Sequence, residues 1–145
     1  MAITKTTLGK MHYFTGLSRE ELDEVKKHVA FEKDIQKGET LLLDGAASDY
    51  MYLIISGSVK VFKKSPDNKE QILNIATTGE SLNDVSTFDG GGCAANMLAM
   101  TPVRLFAIKK QNMEKLFLEN PRIARNVAGV LASRVRPCSF VDQSL

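Results

Sequence analysis

The chain has 145 residues and a mass of 16.0 kDa, enough for one domain with a real core and too little for two. Apolar residues make up 43% and charged residues 25%, which argues against a disordered or fibrous chain, and a net charge of +2 is too small a bias to point to nucleic acid or a membrane surface. No apolar run approaches the ~20 residues of a membrane span, and the opening MAITKTTLGKMH lacks the apolar core of a signal peptide, so a cytoplasmic location is expected.

In chain order, residues 18–30 (SREELDEVKKHVA) read as a short helix. Ser18 and Glu21 have the spacing of a capping box, and Leu22, Val25 and Val29 form an apolar stripe. From Phe31 to Ile108 the texture is β: FEKDI, TLLL, YMYLII, SVKVF, QILNIA, ANMLAM and VRLFAI, punctuated by Gly38, Gly45, Gly57, Ser65-Pro66-Asp67-Asn68 and Gly90-Gly91-Gly92. Val59 and Val61 alternate with Lys60, and Val103, Leu105 and Ala107 with Arg104, as in strands with one face on a core. Runs at this spacing suggest a small barrel or jelly roll rather than βαβ units. After Lys110, QNMEKLFLEN is one helix. Asn120 then suits an N-cap and Pro121 a first turn. Along that second helix Ile123, Val127 and Val130 are spaced 4 and 3, with Leu131 beside them; this seam wants a partner surface and is read as a dimer interface. Arg122, Arg125, Arg134 and Arg136 are read as its solvated face. Pro137 is expected to stop it, leaving residues 137–145 as a tail.

Two segments carry more information. One runs from Ile35-Gln36-Lys37-Gly38-Glu39 through Gly45 to YMYLIISGSVKV; the other is GESLNDVSTFDGGGCAA, from Gly79 to Ala95. Together they resemble the cyclic-nucleotide-binding domain of the Crp/Fnr family of transcription regulators, over residues 12–136. The resemblance implies a mainly β fold, an eight-stranded β-roll (a double-stranded β-helix or jelly roll) over about 31–108. It also implies an N-terminal helix and a C-terminal helix pair over about 110–136, the last helix forming a homodimer. In the family's phosphate cassette a Glu accepts from the ribose hydroxyl and an Arg pairs with the cyclic phosphate. Here the aligned helix reads Asn83-Asp84-Val85-Ser86, and the family's Arg-(Ser or Thr)-Ala reads Cys93-Ala94-Ala95, which puts Cys93 where the family has its Arg. The resemblance therefore implies a ligand site at Gly79, Glu80, Leu82, Asn83, Asp84, Val85, Ser86, Cys93, Ala94 and Ala95. The missing guanidinium implies an unidentified small-molecule effector rather than cyclic AMP or cyclic GMP. Arg104, alternating outward, is a poor substitute.

Each of these residues has a structural role to set against the functional one. Gly79 and Gly90–Gly92 can serve turns, Asp84 can cap a helix, and Cys93 can be a small core residue instead of a reactive thiol. His12 and His28 could ligate haem, but His28 lies among lysines and is expected to be exposed. With both histidines ahead of the β-rich part and no CxxC at Cys93 or Cys138, no metal and no cofactor is expected. No His or Glu cluster can form inside the barrel, so no enzyme is expected either. The leading function is an effector-sensing domain of a Crp/Fnr-like regulator; the alternative is a ligand-free dimerisation or protein-interaction module of the same fold. Family members carry a helix-turn-helix domain after the long helix. Nine residues follow Arg136, so DNA binding is expected only through a domain absent from this chain.

Overall fold

The computed structural model describes residues 3–143, with side chains described for residues 3–135. Helix α1 (Lys5–Gly9) and a 3-10 turn (His12–Phe14) lead to α2 (Arg19–Lys27). Then come β1 (Val29–Ile35), β2 (Thr40–Leu42), β3 (Tyr50–Ser56), β4 (Val59–Lys64), β5 (Glu70–Ala76) and β6 (Ser81–Leu82). Helix α3 (Asp84–Asp89), β7 (Asn96–Ala99), β8 (Val103–Lys109), α4 (Lys110–Glu119) and α5 (Pro121–Gln143) complete the chain. The eight strands form two antiparallel sheets, ordered β1-β8-β3-β6 and β2-β7-β4-β5, which face each other as a β-roll. Among the described residues no helix is long and apolar enough to cross a membrane.

The capping box forms as the spacing demands: Glu21 N donates to Ser18 Oγ at 3.2 Å and Ser18 N to Glu21 Oε1 at 2.9 Å. Helix α2 nevertheless stops at Lys27, short of the expected Ala30. β-Branched Val29 fits a pleated strand better than a helix and pairs with Ile108 to open β1.

Two cores meet at β3 and β8. Tyr52, Ile54, Val103, Leu105 and Ala107 point into the roll, with Ile35, Val59, Cys93 and Met97. The alternate residues Met51, Leu53, Phe106 and Ile108 point outward, into a second core with Leu8, Met11, Tyr13, Phe14, Val25, Met113, Ile123 and Val127. From Leu105 to Ile108, β8 is thus buried on both faces instead of the single face its early alternation suggests. In β4 the alternation holds: Val59 and Val61 face the inner core, while Phe62 is buried on the Lys60 face, with the Lys60 ammonium 4.5 Å from its ring centroid. The register shift opposite Val61 and Phe62 lies in β5, where Leu73 is the extra residue between Asn74 and Ile72.

Gly57 makes the turn from β3 to β4 possible. It sits at φ +98°, and a Cβ there would lie 2.4 Å from Pro102 O. Helix α5 departs twice from expectation. Ile123 and Val127 are 0% and 1% exposed in the domain's own outer core, so half of the seam read as a dimer interface is covered by its own domain; Val130 and Leu131 pack at the core's edge, half-buried. The helix also continues through Pro137 to Gln143. A proline withholds one N–H and crowds the turn before it, but its φ remains helical, so the turn is weakened without ending the helix.

Candidate functional site

Helix α3 is fixed at both ends. β6 pairs with β3 through Leu82–Tyr52 and Ser81–Leu53, and the chain leaves it through Asn83 in the left-handed region (φ 70°, ψ 30°). Asparagine tolerates that conformation better than most residues. Its Nδ2 donates to Tyr50 O at 2.9 Å, and Thr87 Oγ1 donates back to Asn83 O at 2.8 Å. Gly90, at φ 78°, closes the helix. Phe88 packs on Phe117 of α4 with ring centroids 5.3 Å apart.

Asp84 is the electrostatic centre. It is 3% exposed, and its Oδ2 accepts hydrogen bonds from the hydroxyls of Tyr13 and Ser81. Arg134 Nη2 of α5 lies 3.6 Å from the same oxygen. Burial pushes the carboxyl up to about 6, with the Arg134 guanidinium pulling the other way. Tyr13 is itself held from two sides. Asn126 Nδ2 of α5 donates to Tyr13 O at 3.0 Å and Thr15 O at 2.9 Å, and His12 N donates to Gly79 O at 2.9 Å. The N-terminal turn, α3 and α5 therefore converge on one carboxylate.

Beside it lies a cavity of about 590 Å³, within the range of small-molecule sites. Of the residues singled out from sequence, Glu80, Leu82, Asn83, Asp84, Val85, Ser86, Ala94 and Ala95 line it. Gly79 and Cys93 do not. Gly79 (φ +88°) backs onto Lys10 O, where a Cβ would sit 3.0 Å away, so its role is to let the N-terminal segment approach. Cys93 belongs to the inner core at 3% exposure, with Sγ 3.0 Å from Ala95 O, the environment of a structural residue and not of a reactive thiol. Gly90–Gly92 line a second hollow of about 570 Å³, beside Lys109 and Lys110. There Lys110 Nζ donates to the Ser86 hydroxyl, which donates in turn to Gly91 O at 2.7 Å.

The remaining walls went unread in the sequence: Val61, Leu73 and Met97 from the roll, His12 and, through Asp84, Tyr13 from the N-terminal turn, and Ser133 and Arg134 from α5. Arg134, read as solvated, faces Asp84. The signal for it lay in the spacing, since Ile123, Val127, Val130 and Arg134 continue one 4-3-4 seam. Tyr13 could have been found from Leu8, Met11 and Phe14, the apolar neighbours with which it enters the outer core. Arg104 does point outward, pairing with Glu32 at 3.0 Å and Asp34 at 3.7 Å. His28 is not exposed as expected; only 16% of its side chain is accessible, 3.6 Å from Glu24. Among the described residues no three His, Cys, Asp or Glu side chains gather as a metal-ligand group.

The family model described as cyclic nucleotide-binding domain matches residues 32–120. The CRP-like cAMP-activated global transcriptional regulator of Mycobacterium tuberculosis is 30% identical over 103 residues, 71% of this chain and 46% of that protein. The cyclic AMP receptor protein of Thermus thermophilus is 28% identical over 124 residues, 85% of this chain and 56% of that one. The chain thus spans about half the length of these relatives. Among solved structures, the Thermus thermophilus catabolite activator protein superposes with a TM-score of 0.79 at 26% identity, covering 91% of this chain and 62% of that one. The N-terminal domain of a transcriptional regulator from Streptomyces coelicolor gives 0.70 at 27% identity, covering 96% and 95%.

Proposed function

The chain belongs to the cyclic nucleotide-binding domain family, and we propose that it is the effector-sensing part of a Crp/Fnr-like transcription regulator whose effector, neither cyclic AMP nor cyclic GMP, lies between the β-roll and α5. The observation that carries this reading is the approach of Arg134 to Asp84 across the cavity, 3.6 Å apart. An occupant that competes for either group changes how α5 is held, and a ligand shifts such an equilibrium only by its differential affinity for the two arrangements.

The cassette stretch Cys93-Ala94-Ala95 supplies no cation to this cavity. A hydrogen bond to a charged group contributes about 1.5–3 kcal/mol, roughly one to two decades of affinity. Ala94 lines the cavity while Cys93 is turned into the core, so the cation belongs at 94: an arginine at 93 would bury an uncompensated charge. Isothermal titration should detect no micromolar cyclic AMP binding to the wild type and an affinity raised about tenfold or more in Ala94→Arg. Micromolar binding by the wild type would overturn the assignment.

The ligand-free reading draws on the same carboxylate, since Asp84 already has partners in Tyr13, Ser81 and Arg134. Thermal shift against a nucleotide and metabolite panel separates the two, because a true ligand raises the melting temperature by mass action. We also assign the still accessible part of α5 to a second copy of the chain: half-buried Leu131 with exposed Ala128, Ala132 and Val135. Sedimentation equilibrium should show a dimer that Leu131→Glu weakens by about tenfold or more, as a desolvated charge at an apolar contact does; an unchanged mass distribution would refute the interface.

A further inference from the structure

We propose that the cavity takes a zwitterion whose ammonium faces Asn83 and Asp84 and whose carboxylate faces Arg134, carried on an apolar body, which is the chemistry of an amino acid with an apolar side chain. The inference rests on the cavity being the effector site. Three observations lead to it.

Asn83 lines the cavity at 4% exposure. Its Nδ2 is committed to Tyr50 O, which fixes the amide's orientation, and among the described residues its Oδ1 accepts from no donor. Buried acceptors left without a donor are uncommon, and this one asks for an N–H or O–H from whatever occupies the space beside it.

The second observation is the charge arrangement. Glu80 and Asp84 face the cavity from the cassette and Arg134 faces it from α5. A simple anion would have to draw Arg134 away from Asp84, leaving a buried carboxylate without its cation, which is costly. A simple cation that took Asp84 would displace Arg134 from it and face that guanidinium at close range with nothing to offer it. A zwitterion exchanges one ion pair for two: its ammonium replaces Arg134 beside Asp84 and also satisfies Asn83 Oδ1, while its carboxylate takes Arg134 in a charge-assisted contact.

The third is the remaining wall. Val61, Leu73, Met97 and Val130 face the cavity and offer an apolar surface to a side chain, a pattern in which apolar area supplies affinity and a few polar groups fix orientation.

The test is calorimetric titration of the chain with L-leucine, L-methionine and L-phenylalanine, together with the decarboxylated amine and the deaminated acid of each, and with cyclic AMP. At least one amino acid should bind, and its amine and its acid should each bind about tenfold or more weakly. The double variant Asp84→Asn/Arg134→Gln removes both charges together, so that no buried carboxylate is left alone. It should melt no lower than the wild type without ligand and lose binding by about tenfold or more. Binding of the acid as tightly as its amino acid, or undiminished binding by the folded double variant, would overturn the inference. Binding of cyclic AMP with silence from the amino acids would also overturn it while leaving a ligand site in place. Silence from every probe, extended across a general metabolite panel, would remove the effector reading as well.

Discussion

Asp84 ties the stability of the domain to pH. Its ordinary carboxyl value of 3.8 rises to about 6 in the fold because burial disfavours the charge more than Arg134 restores it. A carboxyl whose folded value exceeds its unfolded one contributes stability below the unfolded value and loses it as pH rises through the folded one. Stability should therefore fall between pH 4 and pH 6, by an amount on the order of 3 kcal/mol for this residue. Asp84→Asn keeps the shape and an acceptor for Tyr13 and Ser81, and should flatten that fall in urea midpoints measured from pH 4 to 7. Parallel profiles for the two proteins would place the pH dependence elsewhere. The same residue explains why the site was half legible. Asp84 stood out in the sequence because of where it falls in the cassette, but apart from nearby Ser81 two of its partners are remote: Tyr13 lies 71 positions before it and Arg134 lies 50 after it, a proximity that the closed roll creates. Cys93 was legible as a choice of two roles, and the inner core decides it.

The elements divide by how strongly local pattern governs them. Strands β3, β4 and β8 were readable because Val, Ile, Tyr and Phe are concentrated there between turn residues, and α2 because Ser18 and Glu21 announce its start. Strand β6, two residues long, has too few positions for any period, and α1 with the 3-10 turn is so short that its burial comes from tertiary packing of Leu8, Met11 and Phe14. The proline at 137 misled because the rule concerns energy and not possibility. Turn geometry is the exception where a single residue decides. Gly57→Ala puts a methyl 2.4 Å from Pro102 O at φ +98°, a clash and a left-handed strain together, and should destabilise the domain by about 2 kcal/mol or more in chemical denaturation. A loss under about half a kcal/mol would mean that the turn opens freely.

At the scale of the whole molecule, β3 and β8 are shared by both cores, so neither core can loosen without exposing the other's wall. Native-state hydrogen exchange should find the slowest amides in these two strands, exchanging only with global unfolding, and faster exchange in β5, whose Ile72 and Leu73 stand more than half exposed at a sheet edge. Faster exchange in β8 than in β5 would contradict a shared wall.

The anchoring of α3 has a mechanical consequence. Asn83 bolts that helix to Tyr50 at the start of β3, and Phe88 wedges it against α4, so the cassette is the stationary jaw. Helix α5 is held at its start, by Asn126 on the N-terminal turn and by Ile123 and Val127 in the outer core, and its Arg134, two turns further on, meets the cassette at Asp84. Under the proposed function, an occupant of the cavity would therefore meet an anchored cassette on one side and the later turns of α5 on the other, so any yielding would fall on those turns.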